Sequence, residues 1–280
     1  MAATARRQWN GCEPMALTPR RWAGGAILAG PAVVAVALVV LPLVGLLQRA
    51  PWDSIVSELT EREALLALRL SLECSLGALA ASVALGTPLA WVLARRRFPG
   101  RSLVRALVLL PMVLPPVVGG IALLSAFGRR GFAGEWLYEL TGWRLPFTTG
   151  GAILAETFVA MPFFVVTAEA AFRSLDRRAD EAAATLGASP AYRFRRVTLP
   201  AVAPALAAGS ALAWARALGE FGATITFAGN FPGTTQTMPL AIYLNLQSGN
   251  SGGAIALSLV LLAVSLAVLV GLRDRWFGTT

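Results

Sequence analysis

Apolar runs free of charge recur along this chain, separated by short segments crowded with arginine. The first runs from Ala23 to Gln48, a second from Cys74 to Ala94 and a third from Ala106 to Gly128. Thr149–Phe172 is a less clean fourth, interrupted by Glu156 and Glu169, and Thr198–Gly222 is a fifth that carries Arg216 and Glu220 near its far end. Ser251–Leu272 is the sixth. A helix crossing the hydrocarbon layer needs about 20 such residues. The pattern therefore predicts an all-α membrane protein with six transmembrane helices. Ala23–Gln48 is too long for a signal-peptide core, and no small-x-small cleavage site follows it before a soluble domain. It is read as the first membrane helix (23–48), preceded by a basic tail (1–22) and followed by a core (49–272) and a short C-terminal tail (273–280).

Composition sharpens this reading. The chain has 280 residues, 56% hydrophobic and 14% charged, with a mean hydropathy of +0.64. A soluble domain carries roughly 25% charged residues. The 24 basic residues are all Arg, and with 15 acids they leave a net charge of +9. Counted by connection, 17 of these Arg fall in the N-terminal tail, the second-to-third and fourth-to-fifth connections and the C-terminus; 6 fall on the other side. Basic loops stay in the cytoplasm. Both termini are therefore placed inside, and the parity fits six spans. There is no His, which removes Ser–His and Cys–His nucleophile pairs and most zinc sites. Cys12 and Cys74 are read as idle thiols, with no disulfide or metal role.

Pro51–Leu72 mixes Trp52, Ile55, Val56, Leu59, Leu65, Leu66 and Leu68 with Asp53, Glu58, Glu61, Arg62 and Glu63. That fits an amphipathic helix lying at the outer interface, with an ordinary outside loop as the other reading.

The most informative connection, 173–200, does not read as a loop. Asp180 to Leu186 has strong helix formers, with acids near the start where the helix dipole favours them. Gly187 can take the left-handed conformation that ends a helix. Ser189 is placed as an N-cap and Pro190 as the first residue of a second short helix. Pro200 disfavours helical geometry at Leu199 and is expected to separate this unit from the fifth span. The result is two short helices at an angle, joined to membrane helices on both sides, with a polar and basic face suited to a groove on a soluble partner. Arg193, Arg195 and Arg196 could meet phosphates in a helix-turn-helix. That arrangement needs a compact three-helix domain, which about 25 residues clamped between two spans cannot supply, so nucleic acid is excluded as a partner.

Glu181-Ala182-Ala183, Gly187, and Val197-x-Leu199-Pro200 together resemble the EAA loop of the permease subunits of binding-protein-dependent ABC importers. That resemblance implies a coupling helix seated in a cleft of an ATP-hydrolysing subunit. Asp180, Glu181, Ala182, Ala183, Gly187, Ser189, Pro190, Leu199 and Pro200 are then the ATPase-coupling residues. A second stretch, Ala215 to Asn230 followed by Pro232-Gly-Thr-Thr-Gln-Thr-Met-Pro239, resembles the molybdate permeases, as does Leu110-Pro-Met-Val-Leu-Pro-Pro-Val-Val-Gly-Gly120. Sulfate permeases carry a similar Gly-Glu-aromatic-Gly segment, so sulfate and tungstate stand beside molybdate as substrates. The likeness covers about residues 65–272.

From Phe221 to Leu272 there is no charged residue, yet Thr224, Thr226, Asn230, Thr234, Thr235, Gln236 and Thr237 supply neutral donors. Such donors can bind a dianion without trapping it; a polar external loop is the plainer reading of 232–237. Arg216 and Glu220 are four apart and share a helix face. In a membrane they are expected to pair, as a structural ion pair or as part of a gate. Pro111, Pro115 and Pro116 kink or break the third helix, and Gly119 and Gly120 allow close helix approach. These features suit a gate, though ordinary packing would use the same residues. The candidate pathway residues are thus Pro115, Pro116, Gly119, Arg216, Glu220, Thr224, Thr226 and Asn230.

No G-x-x-x-x-G-K-[ST] motif occurs. The chain is thus expected to bind no cofactor and no metal, with ATP and Mg held by a partner, and to be no enzyme itself. The resemblance implies a homodimer in a bacterial inner membrane, ATPase subunits on the cytoplasmic face and a periplasmic oxyanion-binding protein. The competing class, an ion-gradient-driven secondary carrier, predicts an inverted repeat; none is evident, and it leaves the EAA-like loop unexplained.

Overall fold

The computed structural model describes residues 24–176 and 178–276. The basic tail 1–22, Cys12, Arg177 and the last residues of the C-terminal tail lie outside the described residues. The described chain is helical throughout, with no strand among the described residues. It divides into two units, 1–48 and 49–280.

The first unit contributes α1 (Gly24–Gln48), with Pro31 and Pro42 inside it. Its described side chains are apolar and mostly exposed, Val33 and Leu38 among them. A helix apolar on every face suits a hydrocarbon surround.

The second unit is built on α3 (Arg62–Arg95), α7 (Thr149–Ser174) and α10 (Leu199–Leu218). Ala64, Ala67, Ser71, Cys74, Ser75, Ala78, Ser82, Gly86 and Ala90 line the buried face of α3. These small residues recur every three or four positions, which lets helix backbones approach closely where lipid removes the hydrophobic drive between helices. Larger side chains from the partners fill the seam: Phe164, Val165 and Phe172 of α7 and Val202 of α10 pack with Ala78, Ala90 and Leu93. Trp214 Nε1 donates to Ser75 Oγ at 3.0 Å, a polar tie between α10 and α3.

Three sequence expectations change here, and the expected kink or break in the third span takes the form of a break. The interfacial helix expected over 51–72 is instead α2 (Ile55–Thr60) and the first turns of α3, which at 34 residues is about 50 Å long. Ala64, Ala67 and Leu70 are buried, the first two against Met238 and Ala241, so this stretch is tertiary contact and not a floating surface helix. The third span is two helices, α4 (Arg101–Val113) and α5 (Pro116–Phe127), interrupted at Leu114 and Pro115. Five of the described helices are long and apolar enough to cross a membrane singly, and α4 with α5 supplies the remaining crossing in two pieces. The fifth span stops at Leu218, and α11 (Gly222–Phe227) follows as a separate turn and a half.

The third change concerns Pro200. It was expected to end the cytoplasmic unit at Leu199. Instead α9 (Pro190–Arg193), a π-helical turn over Phe194–Thr198 and α10 run on as one rod from Pro190 to Leu218. Leu199 is helical at φ −63° and ψ −46°, and its N–H donates to Phe194 O five residues back. Proline breaks a helix through its missing N–H and the clash of its ring with a carbonyl four residues earlier. A widened turn is one way the ladder absorbs both.

The remaining elements complete the second unit. α6 (Phe132–Thr141) follows α5, and the segment 228–237 re-enters the fold before α12 (Met238–Gln247) and α13 (Ser251–Trp276). Thr235, Gln236 and Thr237 are buried, so 235–237 are not the exposed loop that their composition also allowed. The backbone N–H groups of Thr234, Thr235 and Gln236 converge on Phe231 O, and Met238 N–H donates to Ser71 Oγ at 2.6 Å.

Gly120 marks the tightest approach of α5 to α11: a Cβ there would lie 2.6 Å from Thr226 Cβ and 3.0 Å from Ala223 O. Gly120→Ala is expected to lower stability by about 1–3 kcal/mol through overpacking. Thermal unfolding in detergent checks this, with Gly30→Ala, where nothing lies within 4 Å of the added carbon, as the neutral control.

Candidate functional site

Two loci gather the residues that the sequence singled out. The first is the elbow between α7 and the long rod. α8 (Arg178–Thr185) ends in a left-handed turn at Gly187, whose φ is +79°. Ala188 N–H donates to Ala183 O and Gly187 N–H to Ala184 O, both at 3.0 Å, which is the paired-bond Schellman ending of a helix. Ser189 Oγ then accepts from Tyr192 N–H at 3.3 Å, and Pro190 opens α9. Acid, glycine, cap and proline thus sit where expected.

Arg193 holds the angle of the elbow. Its guanidinium donates to Asp180 Oδ2 at 3.1 Å and Asp180 O at 3.4 Å, tying α9 back to the first turn of α8. Phe194 anchors the base, edge-on to Trp91 of α3 at 6.1 Å and stacked on Phe172 of α7 at 6.4 Å. The tip points outward: Leu186 is 87% exposed, Tyr192 is 56% exposed, and Glu181 and Ala182 are exposed beside them. Ala183 and Ala188 are half-buried. A cavity of about 390 Å³ opens beside the elbow, lined by Trp91, Arg95, Arg96, Asp180, Glu181 and Arg193 among others. Leu199 and Pro200 do not belong to the tip; they form the first turn of α10 above the π-helical turn.

The second locus lies where the two interrupted helices meet. A Cβ at Gly222, the first residue of α11, would lie 2.8 Å from Pro116 Cβ, so the break in α10–α11 abuts the break in α4–α5. Glu220 sits in that junction with 1% of its side chain exposed. Its Oε2 takes Arg216 at 2.6 Å, and its Oε1 accepts Ala223 N–H at 2.8 Å. The expected ion pair is therefore present, and the same carboxylate also caps the next helix, satisfying a backbone donor that the break leaves orphaned.

Pro116, Glu220 and Thr226 belong to this junction. Gly119 packs under Phe158, and Pro115 is exposed at the interruption. Thr224 is fully buried with its Oγ1 unpartnered, and Asn230 Oδ1 is likewise buried without a partner. The candidate pathway residues thus divide between one junction and two isolated polar atoms beyond it.

Several residues that carry the architecture were not singled out. Glu169 was assigned no role, yet it is buried at the end of α7 and gathers three arginines: Arg105, in a two-pronged contact, Arg173 at 3.3 Å and Arg101 at 3.9 Å. This clasp fastens α4, which buries no side chain of its own, to α7. The i,i+4 spacing of Glu169 and Arg173 was the available signal; Arg101 and Arg105, more than 60 residues away, left none. Glu156 is buried in α7 with Oε2 unpartnered. On α6, outside the spans, Arg144 donates to Tyr138 Oη at 3.3 Å and, with Arg129, holds that phenol below its usual pKa.

Comparison with known proteins identifies the family of the chain. Residues 86–275 match the family described as binding-protein-dependent transport system inner membrane component. The chain is 44% identical over 245 residues to the molybdenum transport system permease protein ModB of Mycobacterium tuberculosis, covering 88% of this chain and 92% of that one. It is 42% identical over 212 residues to ModB of Escherichia coli K12, covering 75% and 91%. The sulfate transport system permease protein CysT of the same bacterium is 38% identical over 266 residues, covering 92% and 95%. Among solved structures, a chain of a bacterial ABC transporter that imports the acidic polysaccharide alginate superposes with a TM-score of 0.74 at 20% identity, covering 93% of this chain and 97% of that one. The last likeness shows the fold alone.

Arg216→Leu by itself leaves Glu220 buried without its cation. We expect it to destabilise the protein by about 1–3 kcal/mol, less than a fully buried pair because Arg216 retains 28% exposure. Adding Glu220→Gln, which keeps an acceptor for Ala223 N–H, should recover part of that loss. Melting temperatures of the single and double variants measure this; equal losses would show that Arg216 acts without Glu220.

Proposed function

The chain belongs to the family of inner-membrane components of binding-protein-dependent transport systems, and on that premise we propose that it is the permease subunit of an ATP-driven molybdate importer. The observation that carries the substrate is identity of 42–44% with molybdenum permeases across most of their length. Sulfate is the second reading, supported by 38% identity to CysT over 92% of this chain, and tungstate, with the same shape and charge, is the third.

In this reading two copies of the chain form the pathway between them, ATPase subunits bind the elbows on the cytoplasmic face, and an oxyanion-binding protein docks on the opposite face. The termini lie in the cytoplasm, where the arginine bias places them. ATP and Mg reside on the ATPase, and this chain performs no covalent chemistry.

The elbow's chemistry supports the docking role. An exposed Leu186 and Tyr192 offer an apolar anchor ringed by polar and basic side chains, the composition of an interface hot spot. The rod supports the coupling role: α9 runs on into α10 as helix to Leu218, so a displacement of α9 is carried along it. Beyond Leu218 the chain turns through Gly219–Phe221 to the junction with Pro116. A shift of the rod therefore acts on the interruption of α4–α5, where the pathway would open and close. The absence of charge from Phe221 to Leu272 suits passage of a dianion, which hydroxyl, amide and backbone donors can hold weakly enough to release.

Proteoliposomes holding this chain with its ATPase, loaded with ATP and given the binding protein outside, should accumulate labelled molybdate. Tungstate should compete more strongly than sulfate; the reverse order would move the assignment to sulfate. Accumulation without the ATPase would overturn the importer reading. Gly187→Val should cut uptake at least about tenfold, because a β-branched residue resists φ of +79°. Gly187→Asn, which tolerates that region, should lose far less. Equal losses for the two variants would show that the left-handed turn is not what matters.

A further inference from the structure

The helix α6 carries Phe132, Trp136 and Leu140 at steps of four, which places them on one face. They are 83%, 65% and 63% exposed, and Trp143, just past the left-handed Gly142 that ends the helix, is 73% exposed. The other side of α6 is occupied. Gly134 is buried against the last turn of α5, where a Cβ would run into Phe127 O and Gly128 O. Tyr138 lies beneath two guanidinium groups, Arg129 at 5.3 Å and Arg144 at 5.1 Å from its ring. The aromatic stripe is the free side of a helix that is fixed from behind.

Its level in the fold says what covers that side. α6 connects α5, the second piece of a membrane crossing, to α7, a full crossing. The link is tight: a Cβ at Gly131 would lie 2.6 Å from Ser125 O, so α6 starts folded back on the end of α5. α7 then runs 26 residues, about 39 Å, to the elbow. α6 is therefore held at the membrane surface opposite the elbow, where the hydrocarbon around α5 gives way to lipid headgroups. The charges agree. Arg129 and Arg130 before the helix and Arg144 after it are exposed, against Glu135 and Glu139 beside the stripe. Three positive charges and two negative leave an excess that phosphate groups match. Tryptophan, phenylalanine and leucine on one face, with arginine on the other, is the pattern of a helix lying in a bilayer surface. Tryptophan concentrates at that depth, where one end of its ring system is apolar and the other wet.

We propose that α6 is embedded in the lipid leaflet away from the elbow, with Phe132, Trp136 and Leu140 among the glycerol and upper acyl groups and the flanking arginines at the phosphates. The surface-lying helix that 51–72 does not supply is supplied here. The inference rests on the chain spanning a membrane and is independent of the substrate. Left in water, these large apolar side chains form a patch of the kind that soluble surfaces avoid; in the headgroup layer they lose that contact with water. One end of α5 is then moored to the bilayer surface, and the other is the interruption at Leu114 and Pro115.

Spin labels report the surroundings of each face in the full chain, assembled with its ATPase in nanodiscs of phosphatidylcholine and phosphatidylglycerol. The background carries Cys12→Ser and keeps Cys74, which is buried. Labels at Phe132→Cys and, separately, Leu140→Cys should be relaxed by oxygen roughly threefold more than by a water-soluble nickel chelate, and a label at Glu135→Cys should show the reverse. Relaxation dominated by nickel at all three positions would put the stripe in water and overturn the proposal. Occlusion of 132 and 140 from both reagents would mean that protein covers the stripe. Occlusion that appears only when the solute-binding protein is added would give the surface to that protein, and either result overturns the lipid assignment. Trp136 supplies a readout that needs no label, should a cysteine variant misfold. The fluorescence that Trp136→Phe removes should be quenched by brominated phosphatidylcholine and not by aqueous iodide; quenching by iodide alone would overturn the proposal.

Discussion

Everything in this fold hangs on the helix that runs from Pro190 to Leu218, although Pro200 and Pro204 each remove one donor from its backbone ladder. A membrane interior offers no water to a broken helix, so each interruption must find its own partners. The chain keeps this segment whole even across Pro200, by widening one turn at Phe194–Thr198. A hinge there would separate the elbow from the span that follows it; a continuous helical turn joins the two. The clasp of Glu169 with Arg101, Arg105 and Arg173 fixes α4 against α7.

Where the ladder does break, the breaks are placed together. The interruption at Leu114–Pro115 and the one at Gly219–Phe221 share a junction, and one carboxylate serves both the side chain and the backbone freed there. Glu220 neutralises Arg216 and caps α11 with its two oxygens. Charge in the middle of a membrane protein is costly, so a residue doing both offsets its own burial. Polar atoms left over at Thr224 and Asn230 are the exception. Thr224 lies on α11 between the junction residues Gly222 and Thr226, and Asn230 lies three residues beyond that helix.

The elbow was legible in the sequence because its signals are local. Ser189 before Pro190 and glycine four residues after Ala183 specify a cap and a left-handed ending through backbone chemistry alone, and the structure repeats them. The spans were legible for the same reason, since hydropathy is a property of short windows. What failed was inference across distance. Pro200 read locally is a stop, but the helix continues through the π-helical turn ahead of it, where Phe194 packs on Trp91 and Phe172, contacts that no local signal reveals. The second helix looked shorter than it is because the charges up to Glu73 end its apolar run and set 51–72 apart as an interfacial helix or a loop; burial of Ala64 and Ala67 against Met238 and Ala241, far along the chain, joins that stretch to the span. Of the candidate pathway residues, the sequence named the members of the junction without showing that Pro116 and Gly222 touch.

The central claim is mechanical: the elbow and the junction move as one. Spin labels at position 186 and, separately, at position 117 report distances between the two copies of the chain in the assembled importer. On trapping the ATPase with a nucleotide analogue, both distances should change together. A change at position 186 with none at position 117 would contradict the account, because the rod would then have bent without transmitting its motion.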